Sequence, residues 1–331
     1  MDNYSGVMVY GEIAGAKLAS TTCELLECGR RLSKELGQQL SCILAGDIPE
    51  SAISEAASRG AATIFTAELG GRSILDSEAH IAVAAAAVQA STPSVVLLGH
   101  TPLGREIGPR LAFRLGTAVT TDCIDLKLDS ASGKVVMTKP VYGGNALVEL
   151  VSDTVPQIAT VRPKAMSAGE PESGRKASVT ALTVAIAPAL VTVKDRIQEE
   201  VVGVKLEDAP VVVSGGRGTG GPVPFTTVLK DLADVLHGAV GASRPACDNG
   251  WAPEAMHIGL TGKIVAPELY IAVAISGASQ HMAGCSGSKT IVAVNKDAEA
   301  NIFREATYGV VGRFEDVVPA FTAKLRELLA D

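Results

Sequence analysis

The segment Ser214-Gly215-Gly216-Arg217-Gly218-Thr219-Gly220-Gly221 follows the apolar run Pro210-Val211-Val212-Val213 and precedes a helical pattern. Gly216, Gly218 and Gly221 thus satisfy G-x-G-x-x-G in the strand, loop, helix setting that this spacing requires. Glycines let backbone N–H groups converge on an anion, a helix start adds its positive end, and Arg217 supplies a fixed charge. The chemistry expected is phosphate binding; the alternative is a glycine-rich turn shaped only by packing.

Further polar groups fall at the ends of later apolar runs. Ala239-Val240-Gly241-Ala242 runs into Ser243-Arg244-Pro245, where a nicotinamide site would carry an acidic residue for the ribose hydroxyls. Arg244 offers no lone pair to a hydroxyl, but would attract a phosphate or an electron-rich ring; it could equally be a surface ion-pair former. Gly259-Leu260-Thr261-Gly262-Lys263 combines flexible backbone, a hydroxyl and a cation. Tyr270-Ile271-Ala272-Val273-Ala274-Ile275 leads into Ser276, Gly277, Ala278, Ser279, Gln280 and His281, at the carboxyl end of a strand where such folds bind ligands. His281 alone is open to a second reading, as a satisfied core histidine. Asn295-Lys296-Asp297 ends another strand, and could be a helix-entry turn capped by Asp297.

The elements that must position these residues are legible from periodicity. Strands are expected at Val7 to Gly11, Leu40 to Ala45, Ala62 to Thr66 and Ser94 to Leu98, with helices Thr21 to Gly37, Pro49 to Arg59 and Ser77 to Ala90 between them. Ala118 to Arg162 turns to alternating β segments, Val135 to Lys139 and Ala146 to Val151 about the Gly143-Gly144 turn, which predicts an antiparallel extension. Ala165 to Lys176 reads as an exposed loop, and the uncharged Ala177 to Val193, too short and too polar to span a bilayer, as buried strands completing the first sheet. A second series follows: strands Pro210 to Val213, Ala239 to Ala242, Leu269 to Ile275 and Thr290 to Val294, and helices Pro224 to Leu236 and Val317 to Leu329. The expectation is an α/β protein of two doubly wound β/α domains, 1–203 and 204–331.

Composition narrows the function. The 331 residues carry Lys+Arg 29 against Asp+Glu 36, a net charge of −7, so neither nucleic acid nor anionic lipid is an expected partner. Aromatics are only 4%, too few for base-stacking platforms. Cys23, Cys28, Cys42, Cys123, Cys247 and Cys285 are scattered without C-x-x-C pairs, so reduced structural thiols are expected, with no metal and no iron–sulfur cluster. Met1-Asp2-Asn3-Tyr4 opens no secretory pattern, and the cytoplasm is the expected compartment.

Taken in order, Ser-Gly-Gly-Arg-Gly, Gly-Ala-Ser-Arg, Thr-Gly-Lys-Ile-Val-Ala-Pro-Glu-Leu-Tyr, Ile-Ser-Gly-Ala-Ser-Gln-His and Val-Asn-Lys-Asp make the chain resemble the alpha subunit of electron transfer flavoproteins. The match in motifs covers about Val212 to Leu329; the N-terminal half matches in length and β/α pattern. The resemblance implies an FAD-binding Rossmann- or flavodoxin-like C-terminal domain and an N-terminal domain docking a beta subunit that holds AMP or a second FAD. It further implies an electron carrier fed by acyl-CoA dehydrogenase-type flavoproteins, as in fatty acid oxidation, and drained by a quinone-linked oxidoreductase. By the same resemblance Arg217, Ser243, Thr261, Ser276, Gly277, Gln280, His281 and Asn295 contact FAD, and Gly262, Ala278 and Ser279 stand in the same motifs. Arg244 lies over the flavin ring, Thr261 reaches N5, His281 sits near N1 and the C2 carbonyl, and Ser276, Gly277, Lys296 and Asp297 fall near the diphosphate or adenosine.

A unit positive charge ~4 Å from a reduced flavin, at an effective dielectric of ~20, favours the anion by up to ~4 kcal/mol. For one electron that is of order 170 mV, before the desolvation cost of the cation. Arg244 and His281 are therefore the expected tuners of the flavin. The chain departs from the family pattern at Leu260 for a glutamine, at Arg313 for an acidic residue, and at Cys285 for a methionine. Two other readings stand beside the carrier: a subunit of a bifurcating complex that oxidises NADH, and an NAD-dependent dehydrogenase. The last lacks the strand-end acid and a proton-shuttling pair.

Overall fold

The structure, a computed structural model, describes residues 4–144, 146–189, 191–195 and 205–329. The chain divides into two compact units, Met1–Tyr142 with Ala146–Ile197, and Gly143–Asn145 with Gln198–Asp331.

The first unit is built on a seven-stranded parallel sheet. Its spatial order is Ser178–Ala181, Thr63–Ala67, Leu40–Ala45, Val7–Tyr10, Val95–Gly99, Gln157–Val161 and Val119–Cys123. Central strands buried on both faces read as the continuous apolar runs VMVY and VVLLG. Helices Ser20–Leu36, Glu50–Ser58, Ser77–Ser91 and Pro102–Leu115 cover the two faces. Their ends follow local chemistry: Asp76 accepts from the N–H groups of Glu78 and Ala79, Thr101 from that of Gly104, and Gly37 closes the first helix at φ 65°.

Two expectations change here. The antiparallel segments do not extend the main sheet; Asp125–Asp129, Lys134–Val141 and Ala146–Leu150 form a separate three-stranded sheet. Nor does Ala177 to Val193 supply buried strands. Only Ser178–Ala181 pairs, at the sheet edge against Thr63–Ala67, and all four of its residues are exposed. The Leu182 N–H still donates to the Thr66 carbonyl at 2.7 Å, and beyond the end of the strand Leu182, Val184 and Ile186 alternate onto the core, which is where the apolarity of this stretch goes. Residues 190 and 196–204 lie outside the described residues.

The second unit carries six parallel strands, ordered His257–Ile258, Ala239–Ser243, Val211–Gly215, Leu269–Val273, Thr290–Asn295 and Tyr308–Val311. Val211–Gly215 comes first in sequence and lies inside the sheet. The chain steps outward through two strands on one side, then crosses to Leu269–Val273 on the other. The direction of winding reverses between Val211–Gly215 and Leu269–Val273, and the crevice at a reversal is where open α/β sheets take ligands. The helix expected over Pro224 to Leu236 is two helices, Val223–Thr226 and Val228–Val235. They break at Thr227 (φ −119°, ψ −98°), where the Thr226 and Thr227 hydroxyls both donate to the Val223 carbonyl. The edge strands His257–Ile258 and Tyr308–Val311 were not expected from the sequence; the first has two residues and the second is exposed throughout.

Candidate functional site

At the reversal, the Gly216 N–H donates to the Val273 carbonyl at 2.9 Å and the Gly218 N–H to the Ala274 carbonyl at 3.3 Å. A Cβ on Gly216 would stand 2.1 Å from the Ala274 oxygen, so only glycine lets the two strand ends come this close. Ala274 itself takes φ 53°, in the left-handed region that side chains disfavour. Above this seam opens a cavity of about 940 Å³, at the upper end of the ~300–1,000 Å³ of small-molecule sites.

Most of the residues singled out in the sequence meet at this cavity. Arg217, Ser243, Arg244 and Thr261 line one part of it. Ser276, Ala278, Gln280 and His281 contribute from the next strand end, and Asn295, Lys296 and Asp297 from the one after. Gly262, Gly277 and Ser279 are not among its lining residues. Gly262 packs on the His257 ring, a Cβ on Gly277 would meet the Ile302 N–H at 2.2 Å, and Ser279 turns its hydroxyl to Gln280 Oε1 at 3.4 Å. These three shape the wall from behind. Asn295 also spends its amide internally, donating to the Ile275 carbonyl at 2.9 Å and accepting from the Asp297 N–H at 3.0 Å, so it braces two strand ends. Asp297 accepts from the Glu299 N–H at 3.0 Å, as a turn-capping residue does.

His281 does not carry the charge expected of it. Its Nδ1 lies 3.1 Å from the Ile258 carbonyl, which can only accept, so Nδ1 bears the proton. Nε2 then accepts from the Tyr270 hydroxyl at 2.8 Å. Burial pushes the imidazole down to about 4, against the upward pull of the Ile258 carbonyl, and His257 adds to the depression. The ring is a neutral, fully satisfied part of the wall. Burial likewise raises the Tyr270 hydroxyl well above its usual range and the Cys285 thiol to about 12, so Cys285 is an inert packing group. Arg244 is different: its side chain is 64% exposed and its Nε lies 3.6 Å from the Asp248 carboxylate. Its guanidinium stands at the cavity mouth, in a setting where solvent screens its interactions.

Sequence reasoning passed over several lining groups. His257 lines the cavity and pairs at 2.8 Å with Glu254, which does not; no glycine motif or strand-end signal marked His257, and only an i, i+3 acid and histidine was available to notice. Leu260 and Arg313, noted as departures, both line the cavity. Arg313 is exposed and reaches Glu315 at 3.4 Å. Tyr270 is a buried strand residue whose hydroxyl reaches His281, a link that the sequence pattern does not reveal.

This wall fits a flavin dinucleotide. A diphosphate needs a glycine seam and cations, which Gly216, Arg217, Lys296 and Arg313 supply. A flat ring system needs apolar surface with a few polar groups, and Ile258, Leu260, Thr261, Ile275 and Arg244 provide both.

The polar groups of the first unit are committed elsewhere. His80, His100, Glu12 and Asp122 sit in internal pairs. The Tyr10 hydroxyl meets His80 Nδ1 at 2.5 Å, Thr101 donates to Glu12 at 2.6 Å, Arg162 grips Asp122 with bonds of 2.9 and 2.8 Å, and His100 meets the Thr160 hydroxyl at 2.8 Å. Among the described residues no group of three or more His, Cys, Asp or Glu is placed to hold a metal ion, and no helix is long and apolar enough to cross a membrane.

Comparison with known proteins agrees with this geometry. Residues 7–187 match the electron transfer flavoprotein domain, and residues 205–286 the electron transfer flavoprotein FAD-binding domain. The chain is 38% identical over 322 residues to the electron transfer flavoprotein subunit alpha of Bacillus subtilis (strain 168), covering 97% of this chain and 98% of that one. It is 43% identical over 273 residues to the subunit of the same name from Mycobacterium leprae (strain TN), covering 80% and 81%. To the acryloyl-CoA reductase electron transfer subunit beta of Anaerotignum propionicum it is 33% identical over 356 residues, covering 99% and 97%. With a glycine seam at the point where the sheet reverses, a cavity of dinucleotide size above it and this likeness along the whole chain, the protein belongs to the electron transfer flavoprotein alpha-subunit family.

Proposed function

We propose that the second unit holds FAD in this cavity, with the diphosphate over the Gly216 seam and the isoalloxazine toward Arg244, Thr261 and His281. The observation that carries the reading is the Gly216–Ala274 contact with Arg217 beside it, at the reversal of a parallel sheet. Bound there, FAD supplies one-electron and two-electron redox chemistry. The protein's own part is to bind, orient and tune. Arg217 and Lys296 neutralise phosphate charge, Thr261 offers a hydroxyl at the tip of its turn, Arg244 places a cation at the mouth, and Ile258 and Ile275 exclude water from one face.

In this reading the chain pairs with a beta subunit through the domain placed at residues 1–203, and that subunit carries AMP. Electrons come from acyl-CoA dehydrogenase-type flavoproteins and leave to a quinone-linked oxidoreductase, without any substrate bond being made or broken. The test is to purify the heterodimer, count its released nucleotides and mix it with a reduced acyl-CoA dehydrogenase. One FAD and one AMP, with flavin bleaching by the dehydrogenase, supports the carrier.

A second reading is favoured by the Anaerotignum propionicum relative, whose name makes it the electron transfer subunit of a reductase. In this second reading of the present chain, its beta subunit carries a second FAD and NADH is the electron source. Two FAD per heterodimer and bleaching by NADH would select it.

A further inference from the structure

We propose that His257 is a ring-binding residue of the cavity, offering its Nε2 lone pair to the imide N–H of the isoalloxazine; this rests on the FAD reading above. His257 opens the short edge strand beside Ala239–Ser243 and lines the cavity, with its side chain only 4% exposed. Its Nδ1 lies 2.8 Å from a Glu254 carboxylate oxygen. A carboxylate accepts, so in the neutral ring Nδ1 bears the proton and Nε2 presents a lone pair.

The local backbone holds the ring in place. The Lys263 N–H donates to the His257 carbonyl at 2.8 Å and the Gly259 N–H to the Lys263 carbonyl at 3.2 Å, closing a turn with Thr261 at its tip. Gly262 folds this turn down on the imidazole: a Cβ there would stand 2.6 Å from the ring's Cγ and 2.7 Å from Nδ1. Glu254 and Gly262 thus fix one edge of the ring and leave the other, with Nε2, on the side of Gly259 and the cavity. Among the described residues Nε2 has no protein hydrogen-bond partner, and it is not one of the fully buried atoms.

The two imidazoles of the wall therefore differ in what they offer. His281 has both nitrogens occupied from within, by Ile258 and Tyr270. His257 has one nitrogen occupied and one offered. A fixed acceptor needs a donor on the ligand, and the only ring N–H of the oxidised isoalloxazine is its imide. His257 stands two strands from the glycine seam, roughly 10 Å at the usual spacing, on the Arg244 side where the ring is placed.

The experiment measures FAD and 3-methyl-FAD, which lacks the imide proton, binding to flavin-stripped heterodimer of wild type and His257→Leu. Wild type is expected to bind 3-methyl-FAD at least about fivefold more weakly than FAD. His257→Leu should lose a similar factor for FAD and show no further loss on methylation. Glu254→Ala, a change at a side chain 73% exposed, runs the same comparison without disturbing the wall, and should shrink the methylation penalty. An equal penalty in wild type and both variants overturns the role of His257 while leaving FAD binding intact. Failure of wild type to take up either flavin overturns the FAD reading and this inference together.

Discussion

The Tyr270 hydroxyl lies 2.8 Å from Nε2 of His281, inside the second unit, and both side chains are buried. The Ile258 carbonyl sets the tautomer of this cavity-wall residue, and a strand residue packed in the core fills its second nitrogen. Tyr270→Phe removes the donor and strands a buried acceptor, a loss of about 1–3 kcal/mol. Denaturant unfolding followed through Trp251, the chain's single tryptophan and packed on the same unit's core, should register it. An unchanged midpoint would mean that the bond contributes nothing.

Acid should act on the same pair. The folded-state value of His281 is depressed to about 4, so the fold favours the neutral ring. That contribution is complete above the unfolded value near 6.5 and is lost as pH falls toward 4, with a full loss of about 3 kcal/mol at ~1.4 kcal/mol per unit. Nitrogen shifts of the His281 imidazole in the oxidised heterodimer should report a neutral, Nδ1-protonated ring at pH 5.5. An imidazolium signal at that pH would contradict the arrangement.

Arg244 should tune the flavin less than a buried cation would. A pair screened to this extent contributes about 0.2–1 kcal/mol, which corresponds to roughly 10–40 mV for one electron. Spectroelectrochemistry of Arg244→Ala is expected to show the first reduction potential lowered by that amount at full FAD occupancy. A shift near the ~170 mV of an unscreened contact would place Arg244 in a drier setting than this one.

Arg217 should matter for retention. It is exposed at the glycine seam, with no ion-pair partner among the described residues. Arg217→Gln is expected to weaken FAD binding about 10- to 100-fold, as loss of a charge-assisted hydrogen bond does, and to flatten its dependence on salt. Equilibrium dialysis at two ionic strengths reads both effects.

The sequence was most informative where backbone rules decide the outcome. Strand ends and glycine spacing located the Gly216 seam and grouped Arg217, Thr261, Gln280 and Lys296, because a parallel sheet brings its carboxyl ends to one edge. It said less where a role depends on packing. His281 was expected to be a cation, and only its two internal partners reveal a neutral ring. His257 escaped notice because its significance lies in the Gly262 turn folded onto it. The apolar stretch after Ala177 was misread because period-2 alternation at Leu182, Val184 and Ile186 turns side chains onto the core beyond the end of the short strand Ser178–Ala181.

The central claim is that residues of the second unit hold FAD over the Gly216 seam. Its most direct test is flavin uptake by purified heterodimer carrying Gly216→Ala, beside wild type, with folding checked by circular dichroism. Wild type should hold one FAD per copy of this chain, and the variant, its new Cβ directed at the Ala274 carbonyl, should lose flavin while its beta-subunit contact persists. A folded wild-type complex that is colourless and takes up no added FAD, or a variant that binds it as tightly as wild type, would contradict the account.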